Sequence, residues 1–195
     1  MRILLFATAL ILSQISFAAD QHFEWADYEQ AEKSETYLRF SGRSVKVGLL
    51  GSTFYGYVKS FDIHSDVHSD SFSHTQVEFK VVDLDTDNSA RNEKMWQKCL
   101  AQSEHPVIKI SISDPILKNK KDQIVHGTIQ LRGAEHPIEL KMGTEENETS
   151  YQVHGQTQIS IQETKIPDPS ILVAKLDDTI KIDFHLIVAK EGQKK

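Results

Sequence analysis

The sequence predicts an all-β fold, an antiparallel up-and-down barrel of about eight strands carrying one short helix. Three observations predict it. From Tyr37 onward, apolar residues recur at every second position in segment after segment, as strands with one dry face require. Glycine, proline or charged clusters separate these segments at short intervals. One stretch alone breaks the rhythm: between Ser89 and Ala101, Met95 lies four residues from Cys99, and Trp96 four from Leu100, the spacing of one helical face. Closure into a barrel removes the unpaired edges that so many strands would otherwise expose.

Residues 1–18 read as a signal peptide. Arg2 precedes the apolar run Ile3 to Leu12, and Ser16 and Ala18 supply small residues where a signal peptidase cuts, so cleavage is expected before Ala19. That run is too short for an ordinary transmembrane span, and no other segment approaches one. The expected mature protein is therefore periplasmic or secreted, with no transmembrane anchor. Residues 19–36 form an acidic amino-terminal segment whose sizeable apolar groups are Phe23, Trp25 and Tyr28. Half a helical face, packing on the barrel rim and a loosely ordered end all fit it.

Residues 37–190 are the barrel domain, long enough for one core and too short for two. It opens with Tyr37, Leu38 and Phe40, then Val45, Val47 and Leu49, then Phe54 to Ile63, with Gly42, Gly48, Gly51 and Gly56 among them. Glycine within strands marks a bend at a barrel corner or a close approach by another group. Val77, Phe79 and Val81 alternate with Gln76, Glu78 and Lys80. The helix follows, with Asp87, Asn88 or Ser89 as its cap and His105-Pro106 as its stop. Next come Ile108, Ile110 and Ile112; Val125, Ile129 and Leu131; Ile138, Leu140 and Met142; Tyr151, Val153, Ile159 and Ile161. A proline-punctuated loop at Pro167 and Pro169 precedes a last strand of Ile180, Ile182, Phe184, Leu186 and Val188. Residues 191–195 are a polar tail.

The formal charge of −6, near −7 without Arg2, and the lack of a basic cluster exclude a nucleic-acid or anionic-membrane footprint. Cys99 is the single cysteine, so there is no intramolecular disulfide, and its helical position suits a buried thiol. No nucleophile elbow, phosphate loop, dinucleotide fingerprint or zinc-protease helix occurs, and the inward faces carry no convergent acids or bases, so no catalytic residue is nominated. The apolar interior is the leading functional feature. Pattern alone leaves a filled core and a hollow barrel equally open, because eight strands is the size at which either occurs. If hollow, the candidate lining is Phe79, Val81, Trp96, Ile110, Leu131, Leu140, Phe184 and Leu186, with the stripe from Met95 to Leu100 as a plug at the closed end. The alternative is a periplasmic stress or metal-handling protein with a packed core, working through a His/Asp loop of His64, Asp66, His68, Asp70 and His74, whose intervening serines better suit a solvated hairpin. Monomer and homodimer both remain open.

Three blocks extend this reading. They are Leu84-Asp85-Thr86 with Arg91, the helix and His105-Pro106-Val107-Ile108; Gly127 to Gly133 followed by His136-Pro137-Ile138-Glu139-Leu140; and Leu176 to Ile182. In order and spacing they resemble the YceI-like family of exported lipid- and polyisoprenoid-binding proteins, over about Ser44 to Lys190. The resemblance implies a lipocalin-like barrel with an apolar tunnel and no resident cofactor, holding a polyisoprenoid or fatty-acyl lipid as carrier, store or stress-related sensor. It tilts the open choice toward a cavity. The chain departs from the family pattern at Arg91-Asn92, where Arg-Asp is usual, and at Gln162 to Ile166, where Arg-x-Asp-Phe-Gly is frequent. Both departures bear on the entrance, and hence on the ligand's head group.

Overall fold

The computed structural model describes residues 17–46, 51–168 and 174–190. Most of the expected signal peptide, the expected strand positions Val47 and Leu49, part of the last loop and the polar tail lie outside the described residues.

The strands are β1 (Phe17–Glu24), β2 (Tyr37–Lys46), β3 (Ser52–Val58), β4 (Ser60–Val67), β5 (Ser71–Lys80), β6 (Leu84–Asp85), β7 (Val107–Ile112), β8 (Ile116–Leu117), β9 (Gln123–Leu131), β10 (Ala134–Glu146), β11 (Ser150–Ser160), β12 (Ala174–Leu176) and β13 (Thr179–Ala189). They form one antiparallel sheet in the order β1-β4-β5-β7-β9-β10-β11-β13-β2-β3-β6, with β8 beside β5 and β12 beside β2. β3 and β4 occupy opposite flanks of this ladder, yet only Lys59 separates them along the chain. The sheet therefore curls until one bent run of chain serves both flanks. Counting that run once, the wall has eight positions: β3/β4, β5, β7, β9, β10, β11, β13 and β2. The run expected as a single strand from Phe54 to Ile63 is this bent pair, and the short strands β1, β6, β8 and β12 account for the larger strand count.

The alternation expected from the sequence sets the inner face. Ile108, Ile110 and Ile112 are buried, as are Val125, Ile129 and Leu131 on β9 and Ile138, Leu140 and Met142 on β10. β5 departs from strict alternation around His74, whose φ of 50° lies in the left-handed region, and so Phe72 turns inward with Thr75 and Phe79. The hairpin between β4 and β5 also differs from the expected solvated loop: His64 and Asp66 sit within β4, where the register shifts between them.

Two short α-helices occur among the described residues, not one. α1 (Tyr28–Lys33) is capped by Asp27, whose carboxylate accepts from the Gln30 amide at 2.9 Å. The amino-terminal segment is thus ordered as β1 and α1: Trp25 stacks near Phe23 and Phe61, and Tyr28 meets the Tyr57 ring edge-on. α2 (Ser89–Lys94) is capped by Asn88, which accepts from the Arg91 amide at 2.9 Å. Past Lys94 the helix widens to a π-turn over Met95–Cys99, closed by the Leu100 amide donating to the Met95 carbonyl at 2.9 Å. The fourfold spacing expected for this face therefore stops at its middle. Ala101, at φ 50°, then reverses the chain toward His105-Pro106.

Candidate apolar binding site

The barrel is hollow. An outer cavity of about 450 Å³ lies under α2 and the π-turn, and an inner cavity of about 100 Å³ lies toward the other end. Leu38, Ile110, Ile129 and Ile182 border both. The outer wall is completed by residues such as Phe79, Ile108 and Leu131, and the inner wall by residues such as Phe72, Leu140, Phe184 and Leu186.

Glycines facing phenylalanines make this space. Gly42 is the register partner of Phe54, Gly56 of Phe40, and Gly155 of Phe184. A Cβ at Gly56 would stand 2.2 Å from the Phe40 ring, at Gly42 2.7 Å from Phe54, and at Gly155 2.7 Å from Phe184. Each ring lies across the bare backbone of its neighbour, so three large side chains line the wall of the barrel without filling its lumen. Close approach by a ring accounts for Gly42 and Gly56.

The outer cavity has a charged border. Arg39, Arg91 and Lys94 touch it, with no acidic residue in its wall among the described residues. Arg39 is neutralised from outside by Asp183 at 2.8 Å, and that hydrogen-bonded pairing drives its pKa upward. Arg91 is held by neutral groups: its Nε donates to Thr86 Oγ1 and its Nη2 to the Thr86 carbonyl, both at 2.8 Å, and its guanidinium lies 4.8 Å from the Phe54 ring centre. Exposed Ala90 and half-buried Arg91 and Lys94 share this wall, which places the solvent edge of the cavity beside α2. Of the stripe expected as a plug, Met95, Cys99 and Leu100 line this cavity. In α2, buried Asn92 accepts from the Thr86 amide at 3.0 Å and the Thr86 hydroxyl at 2.6 Å, and donates to Asp85 at 2.8 Å. An amide satisfies this set of donors and acceptors where the family more often has a carboxylate.

Six of the eight residues expected as lining border a cavity: Phe79, Ile110 and Leu131 the outer one, and Ile110, Leu140, Phe184 and Leu186 the inner one, with Ile110 touching both; Val81 and Trp96 border neither. The strand alternation breaks at Lys80, and Val81 opens a 3-10 turn over Val81–Asp83 that packs it into the solid core at 1% exposure. Trp96 turns its indole to the Leu84 carbonyl, donating at 2.9 Å, and braces the helix on β6. The sequence reading missed Leu38, Ile129 and Ile182, which it identified as inward without assigning them to the cavity, and Arg91 and Lys94, whose proximity to apolar walls depends on the helix docking.

The alternative histidine site is dispersed. His64 pairs with Asp20 at 2.7 Å, His74 with Asp66 at 2.9 Å, and His68 with the Ser73 hydroxyl at 2.8 Å. Among the described residues, no three His, Cys, Asp or Glu side chains are grouped to hold a metal ion. Cys99 lines the outer cavity, and burial pushes its thiol pKa up, which suppresses the thiolate a nucleophile needs.

The profile of the YceI-like domain matches residues 30–188. The chain belongs to the YceI-like family. Solved structures share the fold of this YceI-like chain at low identity. BcnA from Burkholderia cenocepacia superposes with a TM-score of 0.61 at 14% identity, covering 77% of this chain and 96% of BcnA. A polyisoprenoid-binding domain from Saccharophagus degradans, implicated in plant cell wall breakdown, gives 0.58 at 17% identity over 80% of this chain and 94% of the domain. The YceI protein of Campylobacter jejuni gives 0.60 at 15% identity over 73% and 88%. A search of curated proteins finds no match. No helix among the described residues of the YceI-like chain is long and apolar enough to cross a membrane.

Proposed function

We propose that this YceI-like protein is an exported, non-enzymatic binding protein that holds one long apolar molecule, a polyisoprenoid or fatty-acyl lipid, inside the barrel as a carrier or store. The observation that carries the reading is the 450 Å³ outer cavity, walled by aliphatic and aromatic side chains and continued by a second apolar cavity behind it. Its size falls within the ~300–1,000 Å³ usual for sites that enclose a small molecule. A tail transferred from water at ~0.8 kcal/mol per methylene gains ~10 kcal/mol over about a dozen carbons before ordering costs. Arg91, at the solvent edge with neutral partners, is where the polar end of such a molecule would rest. Membership of the YceI-like family and the polyisoprenoid-binding character of the Saccharophagus neighbour support the same ligand class.

Native mass spectrometry of the protein purified gently from its own compartment, followed by solvent extraction, tests this reading. A reproducible extra mass identified as an isoprenoid or fatty-acyl compound is the expected result. A bare protein that stays bare after incubation with such lipids overturns it.

A further inference from the structure

Among the described residues four side chains border both cavities, Leu38 on β2, Ile110 on β7, Ile129 on β9 and Ile182 on β13. Ile110 and Ile129 are register partners on neighbouring strands. Leu38 and Ile182 stand on the adjoining strands β2 and β13. In the eight-position wall, β7 and β9 lie opposite β13 and β2, so the two pairs face each other across the lumen. Leu38, Ile110 and Ile129 are buried and Ile182 is half-buried.

We propose that these four side chains form a constriction that sets the length of tail the protein accepts. The proposal rests on the tunnel reading above and gives it a specificity. Among the described residues, charged groups border the outer cavity, whereas the inner wall has no charged side chain. A ligand with its polar end at the outer border therefore fills the outer cavity first, and its tail reaches the ring from that side. Three of the four members are β-branched and restricted at χ1, so they move aside less readily than a flexible methionine would. Tails ending at the ring bind without disturbing it. Longer ones must displace isoleucines to enter the inner cavity.

The test is a chain-length series. Saturated fatty acids from octanoate to stearate, and their methyl esters as head-group controls, compete with 1-N-phenylnaphthylamine for the intact protein. Affinity is expected to rise about four-fold per methylene until the tail meets the ring, then to level off. In Ile129→Ala and Leu38→Ala, each checked for folding by thermal unfolding, the break moves to longer tails by roughly three carbons, because the inner 100 Å³ holds about three groups of the ~30 Å³ size of a water molecule. In Ile129→Met, of similar size and greater flexibility, the break softens. An uninterrupted rise in the unmodified protein, or a break that stays in place in folded variants, overturns the constriction while leaving the tunnel. If neither dye nor acid of any length binds, the tunnel reading itself fails.

Discussion

A methyl group at position 56 would stand 2.2 Å from the Phe40 ring, so the hollow interior depends on single missing side chains. Gly56→Ala is expected to push that ring into the outer cavity, lower stability by roughly 1–3 kcal/mol in urea unfolding, and reduce uptake of an apolar dye. Adding Phe40→Leu should recover much of the stability. Asn92 is the polar counterpart. It accepts two hydrogen bonds from Thr86 and donates one to Asp85, and Asn92→Ala should cost roughly 1–3 kcal/mol because buried donors lose their acceptor. Burial tends to raise the Asp85 pKa, but hydrogen bonds from Asn92 and the Asp87 amide, with Lys59 nearby, outweigh it and hold the pKa below 3.8. A depressed folded pKa gives stability that is present above the unfolded value and lost as pH falls through the folded one. Chemical denaturation across the acid range should therefore show a shallower acid loss in Asn92→Ala than in the parent.

At the scale of elements, the helix and the edge strand make separable predictions. Trp96 braces the π-turn on β6 through the Leu84 carbonyl and borders neither cavity. Trp96→Phe is expected to cost about 1 kcal/mol in thermal unfolding while leaving lipid retention in native mass spectrometry unchanged; lost retention in a folded variant would place the indole in the site. β1 lies at the free end of the ladder, and its Gln21 side chain exchanges two hydrogen bonds with the backbone of Ala189 on β13. Across β1 and β4, His22 faces Asp62 and His64 faces Asp20 in register. The hydrogen bond to Asp62 raises the His22 pKa above 6.5. Its contribution is therefore full below that value and fades as pH rises through the raised one. Amide exchange along β1, corrected for intrinsic rates, should accelerate over that interval, and His22→Gln should flatten the response. Since both groups are largely exposed, the effect belongs to local fraying of β1 and leaves global stability almost unmoved.

For the whole molecule, Leu131 and Leu140 sample the two compartments from neighbouring strands. Leu131→Asp and Leu140→Asp should each abolish retention of extracted lipid, since an unpaired carboxylate in an apolar wall is strongly penalised. Leu131→Phe, which fills space without charge, should weaken retention and spare the fold, as read by circular dichroism. Retention by a folded Leu131→Asp protein would remove the outer cavity from the binding site.

The division between sequence and tertiary structure follows from the range of the forces involved. Alternation from Val107 to Ile112 and from Thr179 to Val188, the turn at Arg132-Gly133, the Asn88 cap and the His105-Pro106 stop are local, and local chemistry made the barrel and its helix legible. The YceI-like pattern rested on the same residues. Three features depended on groups far apart in the chain. Lys59 carries one run of chain between the two flanks of the sheet, which no period-2 pattern announces. Val81 and Trp96 left the expected lining because a 3-10 turn and a distant carbonyl redirected them. The hollow was the last to be decided: isoleucine and leucine line a cavity and fill a core with the same alternation. Only cross-strand register, setting glycine against phenylalanine, determines where space remains.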